Sequence, residues 1–138
     1  MEEREYLMQY EDADRRVRRL EAEYNREQEL IDAVRSTSNF DEIPIKKQNR
    51  KAQEERIIRL AEKAERLQEA KLQAIEIRQE VVEKINQVEG VASEALYNKY
   101  IRLMTWTEVA VLMNYSWPGI QKIKRKGWEQ IKNMLMSK

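Results

Sequence analysis

Thr105-Trp106-Thr107-Glu108-Val109-Ala110-Val111-Leu112-Met113-Asn114-Tyr115-Ser116-Trp117-Pro118-Gly119-Ile120-Gln121-Lys122-Ile123-Lys124-Arg125-Lys126-Gly127-Trp128 is the stretch around which the rest of the chain is arranged. It reads as two helices meeting at a tight turn. Thr105 and Glu108 have capping-box spacing, with the hydroxyl taking the amide of the third helical residue and the carboxylate reaching back. Ser116 is a second N-cap, and Pro118 falls in a first turn where its missing N–H costs nothing. Trp106, Val109, Ala110 and Met113 share one face of the first helix. Ile120, Ile123, Gly127, Ile131 and Met134 line the inner face of the second, and small Ala110 allows a close approach. The spacing predicts a helix-turn-helix.

Working upstream, residues 91 to 103 predict a third helix carrying Val91, Ala95, Leu96, Tyr100, Ile101 and Leu103 as the wall this pair needs. Trp128 is expected to close the base of the small domain. Glu89-Gly90 is expected to end the helix before it, glycine being common just past a helix C-terminus.

That preceding helix is predicted over 47 to 88. Leu60, Leu67, Ala74, Val81 and Val88 recur every seven residues, and Ile57, Ala64, Ala70, Ile77 and Ile85 widen the stripe to that of a buried helix. Residues 2 to 35 predict another helix, about 50 Å long. Tyr6, Tyr10, Ala13, Val17, Leu20, Tyr24, Glu27, Ile31 and Val34 alternate in steps of four and three as a coiled-coil seam does, with Glu27 the one misfit. Between them Ser36–Asn39 breaks the pattern, and Pro44 drives Ile43 towards an extended conformation, which places a loop at about 36 to 46. Phe40, Ile43 and Ile45 would anchor it; Lys46, Lys47, Arg50 and Lys51 follow as a basic cluster that is either solvated or near a phosphate. The expected fold is all-α: an antiparallel helical hairpin over 1–89, coiled-coil-like, then a tri-helical helix-turn-helix domain over 90–138. A homodimeric coiled coil through the same stripe competes with the hairpin.

Composition agrees. The 138 residues are 37% charged and 7% aromatic, with three Gly and two Pro, a balance that suits long solvated helices. With no cysteine and no histidine, a thiol nucleophile, the usual proton shuttle and the common transition-metal ligands are missing. No glycine-rich phosphate loop is present either, so neither an enzyme nor a cofactor is expected. No apolar run approaches the roughly 20 residues of a membrane span, and the acidic start is no signal peptide. A cytoplasmic protein with no membrane partner follows.

The net charge of +1 hides a division. Residues 97–138 hold Lys99, Arg102, Lys122, Lys124, Arg125, Lys126, Lys132 and Lys138 against Glu108 and Glu129, a net of +6, leaving −5 on the first 96. A basic end on an acidic body is a layout common among nucleic-acid binders.

The series Val81-Val82-Glu83-Lys84-Ile85, Leu96-Tyr97-Asn98-Lys99-Tyr100-Ile101, Thr105-Trp106-Thr107-Glu108-Val109-Ala110, Met113-Asn114-Tyr115-Ser116 and Ile120-Gln121-Lys122-Ile123 resembles phage transcriptional activators of the RinA-like and ArpU-like group. That group carries a C-terminal helix-turn-helix similar to sigma-factor region 4. The resemblance is specific over about 81 to 131; upstream only the layout of helix, polar loop and helix is shared. Trp117-Pro118-Gly119 is unusual for the group. The resemblance implies double-stranded promoter DNA as partner, host RNA polymerase as a second, and a bacterial host cell as location.

In such a unit the second helix enters the major groove and its first turns meet base edges. The inward set puts Pro118, Gln121, Lys122 and Arg125 outward. Gln121 suits adenine, and Arg125 or Lys122 suits guanine. Ser116, Lys124 and Lys126 suit phosphates. Trp117 either wedges against sugar or a thymine methyl, or packs on Tyr115. Two alternatives remain open: a DNA-packaging recognition subunit similar to phage small terminases, and a helical interaction protein whose hairpin binds a partner. The hairpin also offers a surface for homo-oligomers.

Overall fold

A computed structural model of the chain describes residues 1–38 and 47–137. It holds five helices: α1 (Glu3–Ser38), α2 (Lys47–Asn86), α3 (Val91–Tyr100), α4 (Trp106–Met113) and α5 (Trp117–Met136), with no strand among the described residues. The all-α class is as expected. α1 continues to Ser38, three residues beyond the expected end, and the rest of the expected loop, with Phe40, Ile43, Ile45 and Lys46, lies outside the described residues. Arg50 and Lys51 are exposed.

The chain divides into two compact units, one of Met1–Asp14 with Gln73–Lys138 and the other of Arg15–Leu72. Each long helix contributes to both, so this division cuts α1 and α2 internally instead of falling at the Glu89–Gly90 junction.

In the unit of 15–72, Ile31, Leu67 and Ala70 are buried, and Val17, Leu20, Tyr24, Val34, Leu60 and Ala64 are half-buried. Glu27, the misfit of the α1 seam, meets Lys63 at 3.5 Å. A part-exposed pair of this kind adds only about 0.2–1 kcal/mol, so its main effect is on register. Farther along, Ile31, Val34 and Arg35 of α1 face Gln53, Arg56 and Ile57 of α2 across a shallow cleft of about 20 Å³, room for one water. Contacts thus ascend α1 while descending α2. Ile57, expected in the buried stripe, is 47% exposed. It lines that cleft with Ile31 and Val34 without being covered by them.

The other unit holds the main core. Tyr6 and Leu7 of α1 cluster with Val81, Ile85 and Val88 of the α2 end, Ala92, Leu96 and Tyr100 of α3, and Ile131 of α5. A second cluster joins Ala95 to Val109, Ala110 and Ile120. The heptad positions Leu67, Ala74, Val81 and Val88 are all buried.

Two boundaries differ from expectation. α2 ends at Asn86, and Gly90 is the N-cap of α3 instead of the residue closing α2. Its φ of 71° and ψ of −150° lie in a region open essentially to glycine alone. α3 stops at Tyr100 because Leu103 turns to φ 60°, and Ala92, not the 42%-exposed Val91, faces the core.

Candidate nucleic-acid interface

The geometry of α4, the turn and α5 is set by local hydrogen bonds. Thr105 Oγ1 accepts from the Glu108 amide at 3.1 Å, and the Glu108 carboxylate accepts from the Thr105 amide at 3.4 Å, closing the capping box. At the far end of α4, Asn114 adopts φ 60°, ψ 41°, its N–H reaching the Val111 carbonyl and the Tyr115 N–H the Ala110 carbonyl at 2.9 Å. This is a Schellman ending, with asparagine replacing the usual glycine because its short polar side chain tolerates the left-handed region. Ser116 then caps α5, its hydroxyl accepting from the Gly119 amide at 3.3 Å. Three residues, Asn114–Ser116, therefore join the two helices.

Packing orients α5. Ile120, Gly127 and Ile131 are buried and Ile123 and Met134 half-buried, as their spacing predicts. Gly127 is required by a close approach: a Cβ built there would lie 2.9 Å from Leu96 Cδ1 and 3.0 Å from its Cγ. Ser116, Trp117, Pro118, Lys122, Arg125 and Lys126 are exposed. Val111, Leu112 and Tyr115 add exposed apolar surface on α4 and the turn beside Trp117, which is itself 54% exposed.

Gln121 and Lys124 take a different position from the other site candidates. Both are half-buried, and the Lys124 ammonium donates to Gln121 Oε1 at 3.2 Å. The same ammonium lies 4.6 Å from the Trp128 ring centroid and 5.7 Å from that of Trp106. Burial lowers its pKa, and the charges of Arg4, Arg125 and Lys99 lower it further. Lys124 is four residues after Ile120 and seven before Ile131, which sets it at the border of the buried stripe.

Trp128 closes the base of the unit as expected. Its Nε1 donates to Tyr100 Oη at 2.9 Å, and Tyr100 meets Trp106 edge-on at 6.1 Å. The Arg4 guanidinium sits 5.4 Å from the Trp128 ring centroid. Arg4 is the charged residue of this region that sequence reading missed. It has no local signal, since α1 and α5 are far apart in the chain.

Among the described residues no group of acidic side chains could hold a metal ion, and no helix is long and apolar enough to cross a membrane. Set against protein-family models, curated proteins and solved structures, the chain matches none.

Proposed function

We propose that the chain is a sequence-specific DNA-binding transcriptional regulator, an activator of phage or prophage genes. In this reading α4, the three-residue turn and α5 are a helix-turn-helix resembling sigma-factor region 4, and α1 with α2 forms a long helical hairpin in front of it. The observation that carries the proposal is the division of α5. Ile120, Gly127 and Ile131 are buried, while Pro118, Lys122, Arg125 and Lys126 are exposed beyond a well-capped N-terminus. A helix fixed along one side and cationic along the other can enter the major groove with its first turns towards base edges. Arg125 or Lys122 suits guanine, and Gln121 suits adenine once it releases Lys124. Ser116 and Lys126 suit phosphates, which set register without reading sequence. The function is recognition without chemistry, with no cofactor, and promoter DNA and host RNA polymerase are the proposed partners in a bacterial cytoplasm.

Selection of binding sites from random duplexes tests this. The expected outcome is an enriched motif upstream of phage promoters, on which Arg125→Ala loses about 1–3 kcal/mol and loses less on a scrambled duplex. Equal losses on both would make Arg125 a backbone contact. No retention on any duplex at low salt would sink the proposal and leave a helical interaction module. A closed ring of subunits in solution would move the reading to DNA packaging.

A further inference from the structure

Four cations converge on one flank of the unit formed by Met1–Asp14 and Gln73–Lys138, one of them, Arg125, shared with the outward side of α5. Arg4 and Lys124 both lie over the Trp128 ring, at 5.4 and 4.6 Å from its centroid, and Lys124 is also 5.7 Å from Trp106. Lys99 and Arg125 stand near enough for their charges to act on Lys124. Among the described residues none of the four makes an ion pair with a carboxylate. The nearby acids Glu2 and Glu3 line a separate shallow cleft with Lys132, Leu135 and Met136. Indole faces attract cations but do not neutralise them. The folded protein therefore holds like charges together, one of them partly desolvated, with the Glu11 carboxylate acting on the neighbouring Tyr100. Such an arrangement costs stability unless an anion occupies it.

We infer that Arg4 and Lys124, ordered on the Trp128 ring, form together with Lys99 and Arg125 a phosphate-binding flank that grips the backbone of duplex DNA. The inference rests on the DNA-binding reading and extends it to a residue of the first turn of α1. Two features favour a nucleic-acid phosphate. Arg125 is exposed and belongs both to this flank and to the outward side of α5, so a strand lying along α5 passes from one to the other. The Trp128 ring is held by its bond to Tyr100, so the cations it carries are fixed in place before any ligand arrives. Arg4 is exposed and lies on the Trp128 ring outside the buried core cluster, so its removal tests binding without unfolding the unit.

The experiment measures affinity for one random-sequence duplex as a function of salt, using the full chain, Arg4→Gln, Lys99→Gln and, as a control from the other unit, the exposed Lys71→Gln of α2. Each lost phosphate contact should flatten the log–log salt slope by about 0.9, so that raising salt from 50 to 200 mM costs the variant about 3.5-fold less than wild type. The expected result is that flattening for Arg4→Gln and for Lys99→Gln, with the Lys71→Gln slope unchanged and no variant melting below wild type. An Arg4→Gln slope equal to that of wild type overturns the inference while leaving the DNA-binding reading intact. If wild type binds no duplex at any salt, that reading fails by itself. The site is then decided with inorganic pyrophosphate. A shift of the Trp128 indole N–H resonance in wild type, abolished in Arg4→Gln, supports an anion site for free phosphates, and no shift overturns it.

Discussion

The contact between Gly127 and Leu96 can be tested as a coupling instead of a single loss. Glycine inside α5 costs about 1 kcal/mol of helix propensity relative to alanine, so Gly127→Ala would stabilise an isolated helix by that amount. Here the new methyl would stand 2.9 Å from Leu96 Cδ1, 3.0 Å from Cγ and 3.2 Å from Cδ2. Leu96 is fully buried, so its side chain cannot swing into solvent, and the Cγ contact cannot be relieved by moving a chain end alone. Overpacking of this kind costs about 1–3 kcal/mol. Gly127→Ala should therefore come out between neutral and about 2 kcal/mol destabilising. Leu96→Ala alone should lose about 2–5 kcal/mol. In that background the opposing atoms are gone, and Gly127→Ala should recover about 1 kcal/mol. The coupling expected is thus about 1–3 kcal/mol, well above the roughly 0.5 kcal/mol at which sites count as independent. All three tryptophans lie between residues 106 and 128, so their fluorescence during urea unfolding reports this unit. Additive changes, or a Gly127→Ala protein about 1 kcal/mol more stable than wild type, would refute the close-approach argument.

Three further outcomes are expected. Leu67→Ala, at a buried position of the seven-residue series, should lower stability by about 2–5 kcal/mol in chemical denaturation followed by helical circular dichroism; an unchanged midpoint would mean that the stripe is not buried. Gly90→Ala should cost about 1–3 kcal/mol through its φ of 71° alone, since the new Cβ would meet nothing within 4 Å; an unchanged melting temperature would show that the α2–α3 turn relaxes freely. Tyr6 is pushed up to about 12 by burial first and then by the Glu80 and Glu83 carboxylates. Its folded pKa thus exceeds the unfolded value near 10, so its contribution is intact below pH 10 and lost as pH rises towards 12. Tyr6→Phe should make stability fall less steeply across that window, and identical pH profiles for the two proteins would contradict it.

Much of this fold is legible in sequence because its determinants are short-range. The Thr105–Glu108 capping box and the Ser116 cap need only three-residue spacings, and both form as read. Leu67, Ala74, Val81 and Val88 repeat on one helical face, and all are buried. The sequence places Gly90 past the end of α2 and the structure at the cap of α3, because glycine is admitted at both and only the dihedrals separate the two. Leu103 carries no sign of its left-handed turn, since leucine has no preference for that region; the local Met104 N–H to Asn98 carbonyl bond spans the turn. The outward side of α5 followed from period, except at its flank. Gln121 and Lys124 stand where a helical wheel passes from buried to exposed, and such positions are decided by what a neighbouring helix places beside them. For Lys124 that is the Trp106 ring of α4 and Arg4 of α1, together with the Trp128 ring of α5 itself.

The placement of that arginine follows from the burial of a leucine. Leu7 is fully enclosed in the core cluster with Val81, Ile85, Leu96 and Ile131. Burying such a side chain contributes about 1.5–3 kcal/mol, which fixes the rotation of the first turns of α1 against α3 and α5. On a helix, residues three apart share a face, so seating Leu7 carries Arg4 to the same side, over Trp128. Tyr6, buried beside Leu7, keeps α1 from rolling away. A long side chain at the edge of such a contact can extend across to the ring and set its guanidinium over the indole face. The position of the cation on α5 is thus a by-product of core packing. It costs no specific polar partner, and it needs only that residue 4 carry a charge long enough to reach the indole.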